Sequence, residues 1–279
     1  MCRNWALAAT AVALCFTPGL ALAKHKGADT TKPAETAAAQ PGQPAPRVKA
    51  TPAQRAMAER TAPLTRAAFW AREAEIDPSD VEAGVGLSQA LRTMGSYDDA
   101  FAAIQKLLMA QPDSYDALME MARIHVARGS GFYAIEPARR AAALQPRDWR
   151  APTLLGIAYE QAQRDDEARA AHEQAMALAP NNPTVMSNYA MFLAAHGEGP
   201  RAEAMLRAAA ARPDSTIQVR QNLALLVGLQ GRLIEAEKLA RQDLPPELVA
   251  NNMAYLRAAN GQGEAAAPVR SWDAMRATP

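Results

Sequence analysis

Residues 149–182 read WRAPTLLGIAYEQAQRDDEARAAHEQAMALAPNN and contain the pattern that decides the fold. Ala168, in the middle of this stretch, belongs to a series of alanines at an unbroken spacing of 34 residues. The series is Ala100, Ala134, Ala168, Ala202 and Ala236. A fixed period of this length is typical of a solenoid, in which one supersecondary unit is stacked several times.

Other residue classes repeat in the same register. Two helices approach to about 8–10 Å only where the residues at their crossing are small. A large apolar residue followed by a small one occurs once per unit, at Leu87-Ser88, Met121-Ala122, Leu155-Gly156, Tyr189-Ala190 and Leu223-Ala224. Glycine permits a left-handed turn after a helix. It occurs once per unit at Gly95, Gly129, Gly197 and Gly231, with Gln163 as the exception. The pattern predicts a helical hairpin in each unit.

The quoted unit resembles the tetratricopeptide repeat through Leu155-Gly156, Tyr159, Ala168, Ala175 and Pro180. The resemblance implies an all-α superhelical solenoid of stacked antiparallel helix pairs. We expect a solenoid over residues 51–260, with an irregular first unit at about 51–80 and a partial helix at about 247–260. The five full repeats are expected at about 81–114, 115–148, 149–182, 183–216 and 217–250.

The first 23 residues have the composition of a secretory signal. Arg3 precedes an apolar run, and Ala21-Leu22-Ala23 forms a small-x-small cleavage site before Lys24. Cys15 leaves lipidation open as an alternative, although Leu14 departs from the small residue that lipoprotein signals place before the cysteine. We therefore predict export to the periplasm, with outer-membrane association as an alternative and with membrane contact only indirect or through Cys15.

The segments that flank the solenoid are expected to lack a core. Residues 24–50 contain Pro33, Pro41, Pro44 and Pro46 and almost no large apolar residue, which predicts a disordered tether. Residues 261–279 are mostly small or polar and predict a flexible tail. Without Arg3, the chain has 29 basic and 29 acidic residues. This balance argues against a nucleic-acid partner, because phosphate binding needs concentrated basic charge.

No constellation in the sequence indicates an enzyme, a cofactor or a metal. The four histidines, at His25, His125, His172 and His196, have no metal-ligand spacing, and both cysteines lie within the signal. His125 and His172 occupy repeat positions that are apolar in the first unit, at Leu91 and Ile104. We expect these two side chains to pack between helices.

Function is therefore expected on the concave face, which the first helix of each hairpin lines. Asn188 and Asn222 lie one repeat apart, and Asn252 precedes Met253 in the shortened last unit. A carboxamide can pair with both the N–H and the C=O of an extended partner segment. In the alternative interpretation each asparagine bonds a neighbouring helix. The other predicted groove residues are Ser187, Gln221, Met191, Arg92, Arg123, Arg150 and Glu82.

Several longer segments are similar to the TadD-type tetratricopeptide proteins of the tight-adherence (Flp, type IVb) pilus assembly system. The resemblance implies a scaffold in the cell envelope whose partners are pilus-assembly or secretin proteins. A general periplasmic chaperone or adaptor without a pilus role is the alternative. The segments are PLTRAAFWA at 63–71, RQNLAL at 220–225, QGRLIEAE at 230–237, DLPPE at 243–247 and NMAYLR at 252–257.

Overall fold

The computed structural model describes residues 48–261, which form helices and no strand. The predicted signal segment with Cys15, nearly all of the tether and nearly all of the tail lie outside these described residues. The helices are α1 Pro52–Ala58, α2 Pro63–Ile76, α3 Val81–Thr93, α4 Tyr97–Ala110, α5 Tyr115–Ala127, α6 Gly131–Leu144, α7 Arg150–Gln161, α8 Asp165–Leu178, α9 Pro183–Ala195, α10 Gly199–Ala210, α11 Ile217–Leu229, α12 Leu233–Ala240 and α13 Pro246–Ala259.

The helices form hairpins whose first members are α3, α5, α7, α9 and α11. Each first helix packs on its own second helix and on the second helix of the preceding unit. Successive first helices also contact one another, up to α13, whereas successive second helices do not make comparable contacts. The first helices therefore line the inner, concave side. The all-α solenoid of stacked antiparallel helix pairs that the sequence predicts is confirmed.

The alanine series lies at the helix crossings. Each of its five members, in α4, α6, α8, α10 and α12, has 0% of its surface exposed. The small residues opposite, among them Ser88 and Ala122, are equally buried, and the Ser88 hydroxyl donates to the Ala100 carbonyl at 3.0 Å. Because interiors are close-packed, there is no space at these crossings for a larger side chain. The period in the sequence is thus a period of helix contacts.

Side-chain caps mark where many of the first helices begin. Asp80, Ser114, Asn182 and Thr216 each accept a hydrogen bond from a backbone N–H in the first turn of α3, α5, α9 and α11. Such caps satisfy donors that the helix itself leaves unpaired. The second helices α4, α6, α8, α10 and α12 have no side-chain cap. The inner helices are therefore fixed in register locally, and the outer helices mainly by packing.

The turn inside each hairpin uses the left-handed conformation. Gly95, Gly129, Gly197 and Gly231 have φ between 70° and 88°, and Gln163 has φ 56°. The sequence marked Gln163 as the exception to the glycine pattern. The structure shows that the backbone is the same there, so that a side chain occupies a conformation that favours glycine.

The N-terminal unit combines a cluster of ion pairs with a buried tryptophan. The Arg55 guanidinium contacts the carboxylates of Glu73, Asp80 and Glu82 at 2.9, 2.7 and 2.6 Å. These contacts lower the pKa of Asp80 to about 2, with the Arg55 hydrogen bond as the largest cause. Trp70 is buried against Gly86, where a Cβ would lie 2.7 Å from the indole ring.

No helix within residues 48–261 has the length and apolar composition needed to cross a bilayer.

We expect Gln163→Gly to raise the free energy of unfolding by about 1 kcal/mol, because glycine adopts a positive φ without the strain that a side chain adds. Gly129→Ala is the matched reverse change, since φ is 70° there and a Cβ would meet nothing within 4 Å. It should lower stability by about 1 kcal/mol through backbone strain alone. Urea unfolding followed by circular dichroism measures both changes. If both substitutions changed the free energy of unfolding in the same direction and by the same amount, this explanation of the turn would be wrong.

Candidate binding groove

Asn188 and Asn222 occupy the sixth position of their repeats, and Asn252 occupies the equivalent place before Met253 in the shortened last unit. The residues there are Gly86, Glu120, Leu154, Asn188, Asn222 and Asn252, and only Asn188 is more than 9% exposed. Its amide makes no side-chain hydrogen bond to another described residue. Asn188 is therefore the one asparagine of the three whose amide is both unpaired and partly open to the concave face.

Asn222 is engaged inside the protein. Its Nδ2 donates to Ser187 Oγ at 3.0 Å, and its Oδ1 accepts from Gln218 Nε2 at 2.9 Å. Only 9% of Asn222 and 2% of Ser187 is exposed. The alternative interpretation, in which an asparagine bonds a neighbouring helix, therefore describes Asn222.

Asn252 and Gln221 correct the expectation of an open amide ladder. Asn252 is 1% exposed and Gln221 is fully buried, so neither side chain presents a surface to a ligand in this structure. The physical reason is that α11 packs against α13, and Gln221 faces Asp243 in the loop between α12 and α13. Both atoms of the Asn252 amide and the Gln221 Oε1 lack partners among the described residues. Gln221 Nε2 donates to Asp243 at 3.4 Å.

The predicted basic residues of the groove are paired with carboxylates. Arg92 Nε donates to Glu120 Oε1 at 2.7 Å, and Arg123 Nη1 lies 3.6 Å from Glu120 Oε2. Glu120 has no exposed surface, whereas Arg92 and Arg123 are partly exposed. Sequence reasoning missed Glu120. A signal was present, because Glu120 occupies the same repeat position as the predicted groove residues Asn188 and Asn222.

Arg150 and Glu82 are also paired. Arg150 contacts Asp148 and lies over the Tyr115 ring, with the guanidinium carbon 5.4 Å from its centroid. The hydrogen bond from Arg150 is the main cause that lowers the pKa of Asp148 to about 2. Glu82 is held by Arg55. The charged residues predicted to line the groove are thus each paired with a residue of opposite charge. Met191, on α9, is partly buried against the core.

The third repeat contains a buried polar pair beneath the groove. His172 Nε2 lies 2.5 Å from Glu160 Oε1, with 1% of the His172 side chain and 10% of the Glu160 side chain exposed. The prediction that His172 packs between helices is confirmed, and its bond to Glu160 was missed. His125 is only partly buried, between the rings of Phe101 and Tyr133, and this burial is the main cause that lowers its pKa. Within residues 48–261 no His, Cys, Asp and Glu cluster could hold a metal ion.

Comparison with known proteins agrees with this geometry. A tetratricopeptide repeat family model matches residues 166–226. A thermophilic tetratricopeptide protein of Thermus thermophilus is 25% identical with a TM-score of 0.58, over 64% of this chain and 99% of its own. A tetratricopeptide protein of Parabacteroides merdae is 12% identical with a TM-score of 0.57, over 72% and 81%. No curated protein matches the chain.

A third solved structure, that of Pseudomonas aeruginosa pilF, is 19% identical with a TM-score of 0.51, over 68% of this chain and 84% of its own. At this identity the likeness concerns the fold alone. The repeat model covers residues 166–226, and beyond them the likeness to tetratricopeptide proteins is one of fold. Tetratricopeptide proteins generally act as scaffolds that bind other proteins along the concave face.

We expect Glu120→Ala to lower the free energy of unfolding by about 2–3 kcal/mol, because it leaves Arg92 and Arg123 without their shared carboxylate. The value lies below that of a fully buried pair, since solvent screens the two partly exposed arginines. Asp116→Ala, on the exposed side of α5, is the control and should change stability by less than about 0.5 kcal/mol. Urea titration of the three proteins measures this, and a similar loss in both variants would refute the role of Glu120.

Proposed function

We propose that this protein is a non-enzymatic scaffold of the cell envelope that supports assembly of a tight-adherence (Flp, type IVb) pilus. It binds segments of pilus-assembly or secretin proteins in the concave groove. The observation that carries the proposal is a strip of α9, a first helix, where the unpaired and partly exposed amide of Asn188 lies one turn before the partly buried Met191.

The chemistry of this strip suits an extended peptide. The Asn188 carboxamide offers a donor and an acceptor to a peptide backbone, and Met191 offers an adaptable apolar contact for a side chain. Arg92 and Arg123 share one carboxylate and keep donors free on their exposed sides. Asn222, Ser187 and Gln221 support the wall from inside rather than contacting the ligand directly.

The pilus role is supported by the segments similar to TadD-type proteins. Some of this similarity has a structural explanation, because Arg220 and Asp243 lie in two of those segments and form an ion pair at 2.5 Å. Arg220 also donates to the Ser215 carbonyl at 3.0 Å. The pair fixes the loop between α12 and α13 to α11, so the shared residues preserve the C-terminal end of the groove.

The proposed location follows from the N-terminal sequence. Export through the signal at residues 1–23 puts the solenoid in the periplasm, and lipidation at Cys15 would add an outer-membrane anchor. The intact mass of the mature chain distinguishes cleavage before Lys24 from a lipidated Cys15.

We expect deletion of the gene to abolish surface pili while envelope integrity stays normal, and the wild-type chain to restore piliation. A chain with Asn188→Ala should bind its partner about tenfold more weakly, because one net hydrogen bond of about 1.4 kcal/mol is lost. Electron microscopy of the cells and pull-down from detergent extract measure these effects. Normal piliation together with a weakened envelope would instead support the general chaperone or adaptor.

A photo-crosslinking amino acid at Met191 tests whether the groove holds the partner. In living cells it should capture a pilus-assembly or secretin protein, whereas the same probe at Gln174, exposed on α8, should not. Capture of the same protein from both positions would contradict groove binding. Capture of a cell-wall enzyme at Met191 would contradict the pilus role and keep the scaffold.

A further inference from the structure

His172 interrupts an otherwise apolar series on the second helices. The equivalent residues of the other units are Ile104, Ala138, Leu206 and Ala240. The imidazole fits because the facing residue is Gly156, where a Cβ would lie 2.5 Å from the ring. The third repeat has therefore exchanged an apolar contact at its helix crossing for a titratable one.

The imidazole is paired with a carboxylate that is also buried. His172 Nε2 and Glu160 Oε1 are 2.5 Å apart, joining α8 to α7. Burial is the largest cause that shifts the Glu160 pKa, and it raises it above the ordinary value of 4.5. The folded protein thus holds a proton at this carboxylate more tightly than the unfolded chain does. The contribution of this carboxyl to the free energy of unfolding is fully present at low pH. It is lost as the pH rises through the pKa that the carboxyl has in the folded protein.

The pair lies where the third and fourth hairpins meet. The His172 ring stacks with Tyr189 and tilts against Phe192, both on α9, at centroid distances of 5.8 and 5.3 Å. Phe192 in turn stacks with His196 at 4.1 Å. A single ring of α8 therefore connects α7, through Glu160, with the first helix of the next unit.

The charged groups around the pair come from each neighbouring element. Asp165, at the start of α8, lies 3.2 Å from His196 Nε2 at the end of α9, and both act on the Glu160 carboxyl. Arg169 of α8 lies over the Phe192 ring. The Tyr189 hydroxyl donates to Glu173 at 3.0 Å. From α6, Arg139 donates to the hydroxyl of Tyr159, which lies next to Glu160 in the chain. None of these cations bonds Glu160 directly.

The register of the repeats links the pair to the groove. Glu160 occupies the same position in the third repeat as Arg92 does in the first. Asn188 occupies the same position in the fourth repeat as Glu120 does in the second. Arg92 and Glu120 touch at 2.7 Å. The Glu160 carboxylate itself bonds His172, whose ring stacks with Tyr189, the residue that follows Asn188 in α9, so the pair reaches the helical turn that carries the unpaired amide.

We propose that the Glu160–His172 pair is an acid-tightened joint between the third and fourth hairpins, through which protons regulate the concave groove at Asn188. On the acid side the Glu160 carboxyl keeps its proton and the joint is closed. As the pH rises, that proton is lost, a carboxylate charge remains in the core with His172 as its hydrogen-bond partner, and α9 loosens against α7 and α8. The joint itself stands independently of the proposed partner, and only its effect on binding rests on the proposed function.

Hydrogen exchange of the full chain, corrected for the intrinsic pH dependence of exchange, tests the joint without a ligand. Protection of α8 and α9 in the wild type should fall about fivefold or more between pH ~5 and pH ~8, a coupling in the usual range for linked sites. Glu160→Gln keeps a hydrogen-bond acceptor for His172 but cannot titrate, and its protection should be independent of pH. Glu173→Gln, an exposed carboxylate of the same joint, should behave as the wild type.

A second variant guards against misfolding of the first. Glu160→Val with His172→Leu installs the residues that this chain uses at Val126 and Leu206, and it should be folded and insensitive to pH at α8 and α9. The proposal is overturned if Glu160→Gln retains the wild-type pH dependence, or if the wild type shows none. Either result leaves the groove proposal standing, because that proposal is read from crosslinking at Met191.

Discussion

The close approach of two helices in each hairpin is the constraint from which the rest of the structure follows. An alanine without exposed surface lies at every crossing from Ala100 to Ala236, and a small residue faces it. Because these contacts recur every 34 residues, each hairpin is placed on the last by nearly the same operation, and the first helices come to share one inner face. The groove is therefore a consequence of packing. The groove forms without a ligand. Its polar residues lie at positions that are not part of the helix crossings.

Those free positions divide into two kinds. The sixth position points between successive first helices at Glu120 and Asn222, which are buried, as is Asn252 in the shortened last unit, whereas Asn188 is partly exposed. Glu120 and Asn222 find partners inside the protein in Arg92 and Ser187, but the buried Asn252 amide has none among the described residues. Positions farther around the inner helices remain open and can contact a partner. A polar residue that recurs with the period is thus not for that reason a binding residue.

The sequence allowed the helix pairs, their register and their turns to be predicted, because small residues, glycines and prolines act locally and repeat. It failed for buried polar contacts. The bond between Glu160 and His172 lies within one hairpin and depends on the space that Gly156 leaves, whereas the buried carboxylate of Glu120 and the burial of Asn252 depend on the angle between neighbouring hairpins. That angle follows from the summed packing of whole helices. Gln163 is a further case in which packing overrides the local sequence, since a non-glycine residue is held in the turn conformation that glycine favours.

Departures from the repeat pattern differ in how far their effects extend. Gln163 strains one exposed turn and changes nothing beyond it. His172 is different, because it is accommodated only by the absence of a Cβ at Gly156 and therefore ties two positions of one repeat to a third, Glu160, and to the aromatic rings of the next. A change at any one of these leaves a buried charge or a cavity for the others. In a solenoid, where each unit contacts only its neighbours, such a polar connection between hairpins is a means by which one part of the groove can respond separately from the rest.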